Sequence, residues 1–401
     1  MRDGRDEPYA PTMTPRSARP RPRPGRSTPP VAATTAAAVA AVLALVLGGC
    51  TSSTGASSSE ATGASSSNAT SNDGADGTDP GDDADATRAD AAAPAFDVTG
   101  FVLEGADPDV VDASAASLDV LAVDGVLLAP DGAGVGSPSS EAEAQRDAAH
   151  ARGLQAQLLV SNYDERLGDF SGPLATSLLA SPENRSAVVA DLAADVTAGG
   201  WDSLMIDLEG LSADDSAGLS ALAAELRAAV GPDVRLDVAL QAYTTVEGWA
   251  ELGYDVPALA ASVDHLTLMA YDQHGPWEPD DPGPVGSLDW TIDSLAALAE
   301  LAPTDQIVLG VAGYGYRWGG DEPAGQLSDE EARDRVEDAG GSARWDSRAA
   351  EQTASLDGGE VLWWSDARSL DTRVSLARGL GLAGVAVWSL DLSDPVEVDA
   401  D

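Results

Sequence analysis

Two carboxylates stand two residues apart in Trp201-Asp202-Ser203-Leu204-Met205-Ile206-Asp207-Leu208-Glu209-Gly210-Leu211. Leu204, Ile206 and Leu208 alternate with Met205, Asp207 and Glu209, so a strand here turns an apolar face one way and both acids the other. Such a pair lies roughly 6–7 Å apart along a strand. At that spacing a single proton on the pair is favoured and one pKa rises, which keeps a carboxyl group protonated near neutral pH and able to act as a general acid. The plain structural alternative is a strand running out into an acidic loop. A second reactive group follows in Leu268-Met269-Ala270-Tyr271-Asp272-Gln273-His274-Gly275-Pro276-Trp277. Counting by twos, Met269 and Tyr271 share a face, which aims a phenol into the cavity that holds the acids.

Side chains this far apart in the chain need a scaffold. From Phe96 onward, short apolar runs alternate with helical patterns, which predicts a parallel sheet wrapped by helices. The strand candidates are Asp97–Leu103, Val123–Ala129, Gln155–Asn162, Ser203–Glu209, Arg235–Gln241, His265–Tyr271, Gln306–Ala312 and Gly384–Leu390. Ser186–Ala198, Ser216–Val230 and Leu288–Leu301 carry apolar residues at helical spacing. Eight strands in this order predict an α/β (β/α)8 barrel over residues 96–395. A doubly wound open sheet is the alternative, but no glycine-rich dinucleotide fingerprint follows the first strand. Between strands seven and eight, a helix pattern at Ser328–Ala339 and short strands at Ser342–Asp346 and Val361–Trp364 predict a small α+β insertion at about 319–380.

Asp202-x-x-x-x-Asp207-x-Glu209 resembles the D-x-x-D-x-D-x-E signature of family 18 glycoside hydrolases, the chitinase family, with Met205 where the middle acid would stand. The likeness is greatest to a bacterial branch of spore-cortex and germination N-acetylglucosaminidases, which also lack that acid. Tyr271-Asp272-Gln273-His274-Gly275 is similar to the family's M-x-Y-D-x-H-G segment. Gly310-Val311-Ala312-Gly313-Tyr314-Gly315 through Trp318 resembles G-x-P-x-Y-G-x-x-W, with Ala312 for proline. Gly384 to Asp391 is similar to the segment whose tryptophan, here Trp388, floors the sugar pocket; Trp388 by itself reads as a core residue.

The resemblance implies a retaining, substrate-assisted glycosidase. Glu209 would protonate the departing oxygen, the substrate's 2-acetamido carbonyl would attack the anomeric carbon, Asp207 would hold the acetamido N–H, and Tyr271 would orient the acetamido oxygen. Trp388, Met269, Asp272, Tyr314 and Trp277 would bind the sugar. Tyr163, Tyr243, Trp318 and Trp364 are further aromatic candidates for subsites, each of which alone reads as structural. Without an acid at 205, Asp207 has only Glu209 as an acidic neighbour in its strand.

The whole chain carries 22 basic and 67 acidic residues and no lysine. Nucleic acid is therefore not an expected partner. An arginine- and proline-rich start, the apolar run 31–47 and Leu47-Gly48-Gly49-Cys50 form a secretory signal over 1–49 that resembles a bacterial lipobox, with Cys50 as the lipidation site and Met1 or Met13 as the start. Taking away its seven arginines and three acids leaves 15 basic against 64 acidic residues, a charge of −49. Residues 50–95, rich in Ser, Gly and Asp, predict a disordered tether to the membrane. One cysteine excludes an intramolecular disulfide, and His150, His265 and His274 are scattered, so no metal or other cofactor is expected. His150 reads as a surface residue of the helix pattern from Glu141 to Gly153. The expected protein is a monomeric lipoprotein held outside the cytoplasmic membrane, acting on a polysaccharide with N-acetylglucosamine. A non-catalytic, lectin-like envelope lipoprotein is the competing function, although sugar-binding members of the family typically lose the acid corresponding to Glu209. A wall-anchoring scaffold is a third, disfavoured by the lack of any wall-binding repeat.

Overall fold

The computed structural model describes residues 96–398. The expected signal segment, Cys50 and the tether lie outside them. Eight parallel strands close a barrel in sequential order. They are β1 (Asp97–Leu103), β2 (Val120–Leu127), β3 (Gln155–Ser161), β4 (Ser203–Asp207), β5 (Arg235–Gln241), β6 (His265–Met269), β7 (Ile307–Ala312) and β8 (Gly384–Trp388). Among the described residues no helix is long and apolar enough to cross a membrane.

The period-two pattern sorts side chains into two environments. Leu204, Ile206 and Leu208 join the large apolar layer between barrel and helices, while Met205 joins Phe101, Ala122, Leu159, Ala239, Val308 and Ala386 inside the barrel. By the same alternation Asp124, Asp207 and Gln241 are inward positions on β2, β4 and β5. The outer layer is where helices such as Pro182–Gly199 and Ser216–Val230 bury Leu192, Leu222 and Leu226. Each such side chain contributes roughly 1.5–3 kcal/mol on leaving water.

Five expected strands end early, among them β2 at Leu127 and β3 at Ser161. β4 stops at Asp207, β6 at Met269 and β8 at Trp388, so Glu209, Tyr271 and Leu390 lie past the ladder. β2 starts three residues before its expected position, because Val120–Val123 is buried on both faces and reads as strand without alternation.

The insertion is a five-stranded antiparallel sheet with one helix, Asp329–Asp338. Its first strand, Gly315–Trp318, begins before 319. Ala367–Leu380 is a helix packed against β7 and β8 and so belongs to the barrel, which ends the insertion near 366. A buried ion pair fastens the insertion down. Glu351 accepts from the amides of Val285 and Gly286, both at 2.8 Å, and from Arg373 Nη2 at 3.2 Å. Arg373 also donates to the carbonyls of Ala350 and Ser369, each at 3.1 Å, and to that of Gly286.

Candidate active site

The C-terminal mouth of the barrel gathers the side chains singled out from the sequence. Asp207 is the last residue of β4, and Glu209 follows where the chain leaves the sheet. With no ladder to hold it, the Glu209 backbone is held by a side chain: Asn162 Nδ2 donates to Glu209 O at 2.8 Å, and Glu209 N donates to Asn162 Oδ1 at 2.9 Å. Gly210 then turns the chain at φ 70°, its Cβ position 3.3 Å from the Gly172 nitrogen. A side chain there would be strained by both conformation and space. Tyr254 donates to Leu208 O at 3.0 Å from below. The carboxylate of Glu209 accepts from Gln241 Nε2 at the end of β5.

Asp207 is buried, and its Oδ1 receives no hydrogen bond from the described residues. Burial pushes its pKa well above the usual carboxylate range, and the charges of Glu209 and Asp124 push the same way. Asp124, inward on β2, is itself raised to about 6 by burial and by Glu104. The Tyr271 phenol is raised by burial and by Asp207, Asp272 and Glu209. Asp207, Asp124 and Tyr271 therefore share one electrostatic environment in which ionisation is resisted. Tyr271 has room because β7 carries Gly310, where a Cβ would come within 3.2 Å of the Tyr271 ring and 2.7 Å of Leu268 O.

The walls are aromatic. Trp388 is half-buried with its ring centroid 5.4 Å from that of Phe101, and it packs with Met269 on the inner barrel cluster. Tyr271, Trp277 and Trp388 also pack against Tyr314, Tyr316 and Trp318, where the insertion meets the barrel. Asp272 adopts φ 60°, a left-handed conformation that aspartate tolerates better than most residues. It accepts hydrogen bonds from the phenols of Tyr314 and, at 2.8 Å, Tyr316.

Of the residues expected to bind sugar, Trp388, Met269, Asp272 and Trp277 are partly exposed around this mouth. Tyr314, expected with them, is 1% exposed with its hydroxyl on Asp272, which sets it behind the wall. Trp318 and Trp364 are buried as well, Trp318 donating to Gly275 O at 3.1 Å. Asp202, the first acid of the motif, lies at the opposite end of β4, where it accepts from Ala156 N at 2.8 Å and meets His150 Nε2 at 2.7 Å. Sequence reasoning missed Asp124, Asn162 and Gln241. Asp124 and Gln241 were within reach of the same count by twos; nothing local marks Asn162.

One group of residues has donor atoms suited to a cation. His274 Nδ1, Glu278 and Asp281 lie within 4.8 Å of one another on the loop after β6. Asp281 is exposed, and the grouping belongs to the outer rim.

A barrel with buried acids, a phenol and aromatic walls at its C-terminal mouth has the layout of a glycosidase. Residues 145–393 match Glycosyl hydrolases family 18, well over half of the chain. The chain belongs to that family and is a glycosidase. It is 22% identical to the uncharacterized glycosylase YvbX of Bacillus subtilis over 59% of this chain and 71% of that protein. It is 25% identical to the cortical fragment-lytic enzyme of the same organism over 62% of this chain and 60% of the other, and 29% identical to a probable endochitinase of Caenorhabditis elegans over 56% and 42%. The chain thus spans less than two thirds of the last two relatives. Among solved structures, a chitinase from Chromobacterium violaceum superposes with a TM-score of 0.67 at 26% identity, covering 75% of this chain and 96% of that one. The spore cortex-lytic enzyme SleL of Bacillus cereus shares the fold at a TM-score of 0.65 and 19% identity, over 74% and 71%.

Proposed function

We propose that this protein cleaves β-linked N-acetylglucosamine-containing glycans, peptidoglycan or chitin-like, by a retaining, substrate-assisted mechanism outside the cytoplasmic membrane. The observation that carries the reading is the buried Asp207 Oδ1, an acceptor with no donor among the described residues, in the common field of Glu209 and Tyr271. A substrate N–H is the donor it lacks.

Glu209, steadied by Gln241, gives its proton to the leaving oxygen as the C1–O bond breaks and the acetamido carbonyl oxygen bonds C1. Asp207 takes the acetamido N–H and offsets the positive charge of the oxazolinium. Tyr271 donates to the acetamido oxygen and fixes its approach. Glu209 then takes a proton from water as the water oxygen bonds C1 and the acetamido oxygen departs, which retains configuration. Trp388 covers the flat C–H face of the sugar. No step needs a metal.

Mass spectrometry of products from purified peptidoglycan and from chitin oligomers, with proton NMR of the first-formed anomer, tests the reading. Reducing-end N-acetylglucosamine of β configuration is expected. Equal cleavage of glucans without the amide, an inverted anomer, or binding without product release overturns it. The lipid anchor is tested separately by metabolic labelling with a fatty acid, which a Cys50→Ala variant should not incorporate.

A further inference from the structure

Met205 removes a carboxyl from the motif strand and packs its thioether inside the barrel. Another strand carries an inward carboxyl at the level of position 205. Strand pairing runs Leu103↔Asp124 between β1 and β2, Asp124↔Leu159 between β2 and β3, and Leu159↔Met205 between β3 and β4. Asp124 therefore lies on the same inward row as Met205, two strands away. The β2–β3 register shifts between Asp124 and Val126, a bulge of the kind that re-aims a side chain beside an active site. Gly125 fills the bulge, and a Cβ there would come 2.9 Å from Leu158 Cδ1.

We propose that Asp124 is the proton partner of Asp207, supplying from β2 the carboxyl that position 205 lacks. The proposal rests on the mechanism above, in which Asp207 must meet the oxazolinium as a carboxylate. The pair holds one proton. As Asp207 takes the acetamido N–H, it leaves that proton on Asp124; when water has closed the intermediate, the proton returns, and none is gained or lost. Asp124 acts through Asp207 and is a positioning residue.

The charges around the pair favour this sharing. Acting on Asp124 is Glu104, from beyond β1; acting on Asp207 are Glu209 and Asp124, with the Tyr271 phenol raised in turn by Asp207. β3 offers only Ser161 at this level, and no arginine or histidine acts on either member. Asp124 raises the cost of ionising Asp207, and two carboxyls so placed can hold one proton between them over a wide pH range.

The test is Asp124→Asn, with kcat and KM followed against pH. The expected result is a fall in kcat of about ten-fold or more with KM changed by less than about three-fold, and an acid limb moved to lower pH, since Asp207 has lost a neighbour that raised it. Adding Met205→Asp to that variant should restore part of the kcat. An unchanged kcat and pH profile overturns the proposal. A carbon-13 carboxyl NMR titration of the unsubstituted protein gives an independent reading if the variant does not fold. Asp124 and Asp207 titrating together in two steps supports sharing, and two separate single-site curves exclude it. If the unsubstituted enzyme cleaves no N-acetylglucosamine polymer, the mechanism fails while the titration still reports on the pair.

Discussion

Both ends of the barrel bury acids, and the two ends treat them oppositely. At the N-terminal end Asp237 is completely enclosed, yet accepts from Arg235 Nε at 2.7 Å and Gln157 Nε2 at 2.9 Å, with His265 Nδ1 3.2 Å away. Arg235 reaches on to Asp97 at 2.8 Å. Burial alone would raise the Asp237 pKa, but Arg235 and the hydrogen bonds outweigh it and hold the group below the ordinary value. At the mouth Asp207 is also buried, its charged neighbours are acids, and its pKa rises. Burial makes either shift large; the neighbour decides its sign. The lower end is built to keep a charge and the upper end to keep a proton.

The comparison can be broken from either end. The largest effect is expected from Glu209→Gln, which removes the proton donor but keeps the shape: kcat should fall by about 10²–10⁴-fold with little change in thermal stability, as initial rates and a melting curve would show. Arg235→Met strands Asp237 without its cation and should cost about 3–5 kcal/mol in urea unfolding at neutral pH, while the folded fraction keeps its turnover. That cost should shrink below the ordinary aspartate range. The stability from the depressed Asp237 is present above the unfolded pKa and lost as pH falls through the folded one.

The smallest effect has the opposite sign. Folded Asp207 holds a proton that the unfolded chain releases above about 3.8, so its contribution to stability declines as pH rises toward its raised folded pKa. Asp207→Asn carries no such decline. It should abolish most activity yet unfold about 1–2 kcal/mol less readily than the parent at pH 8, a difference that closes by pH 4. If the variant is equally destabilised at both pH values, Asp207 is a charged structural acid and the contrast between the ends is lost.

The barrel was legible because burial on two faces leaves a strong periodic trace. β1 and β5 match the expected limits, and the Ser216–Val230 helix does so to the residue. The mouth was legible where a motif marked it, in Asp207, Glu209, Tyr271 and Trp388. Ladder ends were not, because hydrogen-bond pairing and side-chain alternation part company where strands leave the sheet: Glu209 keeps the inward phase of β4 but takes its backbone partner from Asn162. The burial of Tyr314 was not legible for a related reason, since an aromatic residue in such a motif can stand behind the wall as well as in front of it. Asp124 lay in a run that reads as apolar core, and its meaning depends on a neighbour 83 positions later in the chain.

The Glu351–Arg373 rivet also bears on how this enzyme can diversify. It locks the backbone at Val285 and Gly286, just downstream of the loop with Asp272 and Trp277, to a segment whose other strands carry no part of the reaction. The acids and the partly exposed Trp388, Met269, Asp272 and Trp277 all belong to the barrel, and the insertion backs their wall with the buried Tyr316 and Trp318. Change in the grafted sheet would therefore shift the backing behind Tyr271 and Trp277 without moving the strand that carries Asp207.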